Sequence, residues 1–410
     1  MADLPPPPAS PGTPPTWRGR VAEASRAVVH TKRPTVARNT SNAWRQVLTF
    51  RLERQHLTRA SQARSLEQVA HDCGGLQAQA MPATALSFWA RTGGLVARDL
   101  DRALWHDRRL ARTWCMRGTL HVIPAAETPL FMAGCRRSES GFNPAALRYF
   151  KLTEDEVMAV VDALGQVLAD GRLLTRKQLA AEAEALVGPR FHEQLHSGWG
   201  SFLKPAAWRG LLICGPPQRQ EVTFVNAGHW LGGWDPVDPK AARVEMVRRY
   251  LRAFGPATRA DFERWAGMLP PLAGPAWAEC QPEMAEVQVE GKRLWALADD
   301  AAAIRETEPS EEIRLVPNFD SYLLGHAERS AMVAQEHSTR IYRPAAWVWA
   351  TVLKGGRAVG IWNSKRNART WTVEVEEFAR LGREDRQAIR EEVEGMAAFL
   401  DLRPELTFAN

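Results

Sequence analysis

Apolar residues recur at helical spacing through roughly the first two thirds of the chain, and short alternating runs follow. The first helix is predicted to begin near Asn42 and the second at residues 65–70, where Ser65 is a typical N-cap. Two more helices are predicted at 83–91 and 99–113. Residues 117–123 alternate like a strand. Helices that close on a β-hairpin are typical of a winged helix.

Two further rounds of the same plan follow. The second has predicted helices at 153–168, 174–179 and 204–212 and a hairpin at 219–226; the third has helices at 241–254 and 257–262 and strands within 287–297. Leu174-Thr175-Arg176 is echoed by Ala257-Thr258-Arg259 at the matching position, which indicates an internal repeat.

Beyond about residue 310 the pattern changes to short strands broken by Gly and Pro, at 313–316, 347–354, 358–362 and 370–375, with a last helix at 383–400. The predicted fold class is therefore α+β, with three tandem winged-helix units followed by a small β-barrel-like domain. The predicted boundaries are a leader at 1–40, winged helices at 41–148, 149–238 and 239–309, and the β-rich domain at 310–410.

The net charge of +6 is unevenly distributed. Residues 1–66 carry a net charge of +8, so the remainder carries −2. The Pro-rich, Arg-rich leader is predicted to be disordered, and as a basic arm it would attract phosphates without sequence preference. A tail made rich in arginine by a biased genome explains the composition equally well.

Other features of the composition are those of an ordinary globular protein. No apolar run reaches the ~18 to 20 residues that span a bilayer, and the N-terminus lacks the features of a secretory signal. The five scattered cysteines form no Cys-x-x-Cys pair and are interpreted as free thiols filling the core. We therefore expect a cytoplasmic, nucleoid-associated protein with no cofactor and no metal ligands.

Gln77-Ala78-Gln79 is the most informative short segment, and it follows Gly74-Gly75. Side chains at i and i+2 of an extended segment project to one side, so two amides there can jointly hold a small group such as a water molecule. On spacing alone, solvated residues at the start of a helix are the commoner explanation of the pair.

Four later segments accompany the glutamine pair in order: Arg112–Ile123, which contains Arg-Gly-Thr-Leu-His, and then 203–210, 315–325 and 355–362. Together they resemble the winged-helix DNA glycosylases of the azinomycin-resistance (AlkZ-like) type. The resemblance covers most of the chain beyond the leader. It implies a C-shaped clamp around duplex DNA and identifies Gln77 and Gln79 as the catalytic pair.

The implied reaction is hydrolysis of the N-glycosidic bond of an N7-alkylated purine. Such a base leaves readily because it is already positively charged, so neutral amides that orient a water at C1′ suffice. Family members with aspartate at the second glutamine are broader in substrate, and Gln79 therefore points to the self-resistance branch that acts on bulky natural-product adducts or interstrand crosslinks. No lysine is near the triplet in sequence, which predicts a monofunctional enzyme.

The resemblance also supplies candidate DNA contacts. Those on the first wing are Arg112, Arg117 and His121, and those on the second unit's recognition helix are Lys204 and Arg209. Arg117 and His121 are alternatively plain exposed strand residues, and Trp208 is more typical of a core residue. Asp320 and Tyr322 match a family segment without a derivable role and are candidates only.

Two other functions compete with the glycosylase. His192-Glu193-Gln194-Leu195-His196 is a literal zinc-peptidase motif, although the flanking Gly and Pro leave only about two helical turns. A non-enzymatic DNA-binding regulator is the second. A regulator is normally a dimer, whereas three winged helices in one chain favour a monomeric enzyme acting on double-stranded DNA that carries alkylation damage.

Overall fold

The computed structural model describes residues 42–63, 65–138, 140–197, 200 and 202–409. The predicted leader, residues 1–40, lies outside these residues. Helices and strands both contribute, so the predicted α+β class is confirmed. No helix in the described ranges is both long and apolar enough to cross a membrane.

The first group of elements surrounds the glutamine pair. Its helices are α1 (Asn42–Arg54), α2 (Leu66–Asp72), α3 (Met81–Trp89), α4 (Ala97–Asp101) and α5 (Thr128–Cys135). Its strands β1 (Leu76–Gln77), β2 (Leu110–Trp114) and β3 (Leu120–Pro124) form an antiparallel sheet in the order β1-β3-β2. As predicted, the Ser65 side chain caps α2 by accepting from the Gln68 amide.

The helix predicted at 99–113 is wrong in its second half. A π-helical turn at 102–106 ends the helical stretch, and Leu110–Trp114 is strand β2. All five residues of β2 are buried, so this segment has no polar face to present to water as a surface helix would. Leu110 continues the helical spacing of the preceding leucines only by coincidence.

The second group contains α6 (Pro144–Phe150), α7 (Glu154–Val167), α8 (Arg176–Val187), α9 (His192–His196), α10 (Leu203–Trp208) and α11 (Ala227–Leu231). Its strands β4 (Leu174–Thr175), β5 (Ile213–Gln218) and β6 (Glu221–Val225) pair in the order β4-β6-β5. The predicted hairpin is thus present, and Arg219, in its turn, has a φ of +57°.

The third group contains α12 (Pro239–Phe254), α13 (Arg259–Ala266), α14 (Pro270–Cys280), α15 (Ala301–Glu306) and the hairpin strands β7 (Met284–Val289) and β8 (Lys292–Leu297). The sequence echo has a physical basis. Thr175 and Thr258 each form a reciprocal capping box, with Gln178 and Asp261 respectively. The repeated tripeptide is therefore a repeated helix start.

The last group contains α16 (Ser321–Leu324), α17 (Ser338–Ile341), α18 (Arg383–Phe399) and five strands, β9 (Ile313–Val316), β10 (Thr351–Lys354), β11 (Arg357–Arg366), β12 (Thr370–Glu377) and β13 (Arg403–Ala409). The sheet order is β13-β12-β11-β10-β9, and only the β12–β13 pairing is parallel.

The prediction of a barrel-like domain is wrong, because this sheet does not close. In the described residues β9 and β13 are its two edges. Helix α18 follows β12 and covers the sheet with Ile389, Val393 and Met396, and the chain then adds β13 parallel to β12. A helix over one face gives the sheet its apolar core without closure. Strand β13 itself was not predicted.

Helix α1 packs against elements far along the chain. Leu48 and Leu52 share a core with Val316 and Tyr322, while another face of α1 packs on the β7–β8 hairpin. All five cysteines are buried free thiols, as predicted.

Candidate active site

The glutamine pair lies where β1 leaves its sheet. Gln77 is paired in register with His121 of β3, and the Ala78 amide donates to the Leu120 carbonyl at 2.7 Å. Gly75 makes the approach possible, because its φ is +89° and a Cβ there would lie 2.8 Å from Ile123 Cγ2. The chain therefore passes close to β3 before it turns into α3.

Gln77 is held by Arg117. Arg117 Nη2 donates to Gln77 Oε1 at 2.9 Å, and Nη1 donates to the Trp265 carbonyl at 2.6 Å. Because Oε1 accepts this bond, the amide orientation is fixed, leaving one acceptor lone pair and two N–H donors for other groups. Gln77 itself is half-buried.

Arg117 lies in a turn and not in the strand that the sequence predicted. Its φ is +59°, and a Cβ on Gly267 would lie 2.5 Å from Arg117 Cα, so the turn packs tightly against the end of α13. Burial, reinforced by Arg264, lowers the pKa of Arg117 to about 10, which leaves it charged at neutral pH. The site thus contains a permanent cation beside Gln77.

His121 completes this hydrogen-bonded set. Its Nδ1 lies 2.9 Å from the Thr119 carbonyl and its Nε2 lies 3.3 Å from Arg117 Nη2. Since a carbonyl only accepts and a guanidinium only donates, Nδ1 carries the proton and Nε2 accepts. His121 is 1% exposed, so the alternative of an exposed strand residue is wrong for it. Burial and the charge of Arg117 lower its pKa to about 3.

Gln79 and Arg112 belong to the same loop. Gln79 is exposed, and its Oε1 accepts from the Leu120 amide at 3.3 Å. Arg112 is buried and donates through Nε and Nη2 to the Ala78 carbonyl, the peptide between the two glutamines. Both glutamine side chains therefore contact residues 117–121, and Arg112 braces the backbone that presents them.

Comparison with known proteins identifies the family of the chain. A sequence model of the family DNA glycosylase AlkZ-like matches residues 70–399. The chain belongs to the AlkZ-like DNA glycosylase family. The "Interstrand DNA cross-link repair glycosylase" of Streptomyces sahachiroi is 34% identical over 329 residues, which span 78% of this chain and 87% of that protein.

A solved structure is similar as well. The Streptomyces sahachiroi DNA glycosylase AlkZ superimposes with a TM-score of 0.80 at 31% identity, covering 89% of this chain and 99% of that chain. The predicted family and enzyme class are therefore confirmed: the protein is a DNA glycosylase. Neither a regulator nor a zinc peptidase is favoured by these matches.

The structure of this AlkZ-like glycosylase brings Lys204 close to the Arg117 turn. A Cβ on Gly118 would lie 4.0 Å from Lys204 Nζ. Among the described residues the Lys204 ammonium has neither a hydrogen bond nor an ion pair, and burial together with the charges of Arg137 and Arg176 lowers its pKa. Lys204 is therefore close in space to the Arg117 turn although the two are far apart in sequence.

Arg137 and Arg176 were missed by the sequence reasoning. Arg137 donates to the Gly267 carbonyl at 2.9 Å and lies over the Trp208 ring, whereas Arg176 donates to the Ser197 carbonyl at 3.1 Å. Trp208 is 6% exposed, as expected of a core residue, and Arg209 directly follows α10 and is half-buried. No sequence motif connects residues 137, 176 and 204.

Asp320 and Tyr322 occupy the interior. Asp320 is fully buried and forms a bidentate ion pair with Arg91, at 2.8 and 2.7 Å, and also accepts from Ser87 Oγ at 2.8 Å. The Tyr322 hydroxyl donates to the Gly356 carbonyl at 2.9 Å. Ser87 and Arg91 lie at the end of α3, the helix that begins beside Gln79, so Asp320 anchors that helix from the far side.

Proposed function

We propose that this glycosylase hydrolyses the N-glycosidic bond of N7-alkylated purines in double-stranded DNA. The substrates of this proposal are bulky natural-product adducts, including interstrand crosslinks, and the biological role is self-resistance and repair. The observation that carries it is the chemistry of the glutamine pair. Among the described residues the hydrogen bonds of the two side chains go to Arg117 and to the Leu120 amide, and none goes to a carboxylate.

A neutral site of this kind matches a leaving group that needs no proton. His121 is uncharged at neutral pH, because its pKa is held near 3, and a neutral imidazole is too weak an acid to protonate a departing base. A purine alkylated at N7 already carries positive charge and leaves unaided. Gln77 and Gln79 then have one task, which is to position the water that captures C1′.

DNA binding is assigned to the cations beside the site. Lys204, Arg137 and Arg176 are desolvated and lie near one another without a carboxylate among the groups that shift the pKa of Lys204. Like charges in a partly buried place repel unless an anion joins them, and the phosphates of duplex DNA are suitable anions. Arg209 stays a predicted contact, and Arg112 and Arg117 act as positioning residues.

The proposed architecture follows the prediction in part. Each of the first three groups combines helices with a small sheet or hairpin, which supports three winged-helix units. The predicted boundaries at 238/239 and 309/310 fall between elements, whereas the one at 148/149 falls inside α6. In this proposal the three units and the open C-terminal sheet form a clamp around the duplex. A monomer suffices for such a clamp. The cytoplasmic, nucleoid-associated location stays a prediction.

The test is strand cleavage by alkali after incubation with labelled duplexes that carry N7-alkylguanine, from methyl to a bulky intercalating adduct and a crosslink. Wild-type protein is expected to leave alkali-labile sites, fastest on the bulky adducts. Gln77→Ala is expected to bind the same duplexes and to release the base far more slowly. Release of neutral, unalkylated purines instead would overturn the proposed substrate class.

A further inference from the structure

Three ligand-type side chains converge on the second group of elements, away from the glutamine pair. Glu184 is on α8, and His192 and His196 are on α9. One donor atom from each lies within 4.8 Å of the others. The two histidines are four residues apart on one helical turn, so their rings face the same side with centroids 4.3 Å apart.

The distances suit a tetrahedral metal. Glu184 Oε2 lies 2.9 Å from His192 Nδ1 and 3.2 Å from His196 Nε2. Ligands at about 2.0–2.1 Å from a tetrahedral zinc are separated by about 3.3 Å, so these two distances match within a few tenths of an ångström. The two imidazole nitrogens lie within 4.8 Å of each other, and a small ring movement brings them into range. Two imidazoles and one carboxylate form a donor set that prefers zinc to magnesium or calcium.

We propose that Glu184, His192 and His196 form a zinc site that joins α9 to α8. The sequence predicted no metal ligands, and the motif it weighed as a peptidase used Glu193, which is exposed and outside the cluster. The third ligand comes instead from the preceding helix. His192 is 60% exposed, so the fourth coordination position faces solvent.

The place of the site gives the metal a mechanical role. Helix α9 has only five residues and is separated from α8 by residues 188–191, which begin with Gly188, whose φ is +89°, and continue as a 3-10 turn. Isolated helices this short are unstable, and a metal bond across the two helices fixes α9 in place. The Ser197 carbonyl, directly after His196, accepts from Arg176. Helix α9 therefore ends beside one of the cations that surround Lys204.

In the absence of metal the same groups form a hydrogen-bonded network, with Glu184 accepting from both imidazoles. Hydrogen bonding from His192 lowers the pKa of Glu184, which is therefore ionised at neutral pH and a ready ligand. If these side chains only hydrogen-bond to one another, the protein binds no zinc at this place. If they are ligands, added zinc binds and replaces the hydrogen bonds.

The experiment is equilibrium dialysis of the full-length protein against zinc at neutral pH, with bound metal measured by mass spectrometry and coordination followed by the visible spectrum of a cobalt-substituted sample. We expect one zinc per chain at this site. Glu184→Gln and His196→Ala should each weaken zinc binding by more than about tenfold. Loss of a group that only hydrogen-bonds to a metal ligand already costs about that much. The matched control Glu193→Gln should bind as wild type does.

A second readout guards against loss of folding in the variants. Zinc should raise the melting temperature of wild type and of Glu193→Gln but not that of Glu184→Gln, while circular dichroism of all three matches without metal. The proposal is overturned if wild type binds no zinc, if Glu184→Gln and His196→Ala keep wild-type affinity, or if Glu193→Gln alone loses the metal.

Discussion

Arg117 Nη2 donates to Gln77 Oε1 at 2.9 Å, and the same nitrogen lies 3.3 Å from His121 Nε2. The Arg117 guanidinium therefore contacts both Gln77, a catalytic candidate, and the buried neutral imidazole of His121. Gln77 is oriented before any substrate arrives, because its partner is itself fixed by the Trp265 carbonyl and by Gly267. Preorganisation of this kind lowers the cost of positioning a reactant.

Removal of Arg117 should therefore act through Gln77. We expect Gln77→Ala to slow single-turnover release of an N7-alkyl base by about 100-fold and Arg117→Met by about tenfold to 100-fold, with little change in DNA affinity for Gln77→Ala. Gln79→Ala should slow release without loss of thermal stability, since Gln79 is exposed.

A double-mutant cycle checks this relationship. If Arg117 positions Gln77, the double variant is no slower than Gln77→Ala alone. Additive losses would show that Arg117 acts on the DNA directly. Arg117→Lys serves as the matched control, because it keeps the charge and loses the bidentate geometry.

Stability should fall in acid because of His121. Its pKa is near 3 in the folded protein and about 6.5 when unfolded, so between these values the unfolded chain binds a proton that the folded protein does not. The free energy of unfolding therefore declines as pH falls from 6.5 toward 3, by up to about 1.4 kcal/mol per pH unit for one such group.

His326 adds to the slope, because burial and the charge of Arg51 lower its pKa to about 3 as well. Urea unfolding of wild type and His121→Gln at several pH values measures the effect. The free energy of unfolding of His121→Gln is expected to fall less steeply with pH than that of wild type, by up to the contribution of one bound proton. Equal slopes would mean that the imidazole is charged in the fold.

Asp320→Ala should be strongly destabilising and should leave chemistry intact in the protein that remains folded. It leaves Arg91 buried without a counter-ion, which costs about 3–5 kcal/mol. The control is Glu391→Gln, which breaks the exposed pair with Arg59 and should cost less than about 1 kcal/mol. A loss of base release without a loss of stability would instead assign Asp320 to the reaction.

Lys204→Met should reduce the salt dependence of DNA binding. One phosphate contact contributes about 0.9 to the slope of log affinity against log salt concentration. Fluorescence anisotropy with undamaged duplex across a salt series measures it, and Arg305→Met, at an exposed position on α15, is the control. An unchanged slope for Lys204→Met would remove Lys204 from the interface.

The reaction should remain monofunctional although Lys204 lies near the site. Borohydride treatment during turnover is expected to trap no covalent complex between protein and DNA. The amine of Lys204 lies close to Gly118. If an adduct forms and is lost in Lys204→Met, the lysine is a nucleophile and the enzyme has lyase activity.

The sequence predicted the features that depend on local pattern. The capping threonines Thr153, Thr175 and Thr258 and the most strongly amphipathic helices lie where spacing put them. Prediction from the sequence failed where tertiary contacts determine the backbone conformation. Arg117 adopts a left-handed backbone conformation that alternation cannot signal, and the fully buried β2 has no polar face by which to distinguish strand from helix.

The candidate site divides in the same way. The glutamine pair could be proposed because its two residues are only two positions apart in sequence. The grouping of Arg137, Arg176 and Lys204 arises only from packing, and so does the pairing of Asp320 with Arg91. Those partners are far apart in sequence, and no local pattern records which of them come together.

The pairing of Arg91 with Asp320 has a consequence for synthesis on the ribosome. Asp320 is translated 229 residues after Arg91, a delay of roughly 10–50 s at ordinary elongation rates. During that interval α3 has no counter-ion at its C-terminal end, and the nascent loop that carries Gln77 and Gln79 lacks its final support. The buried ion pair that anchors α3 therefore forms only after about four fifths of the chain has been made.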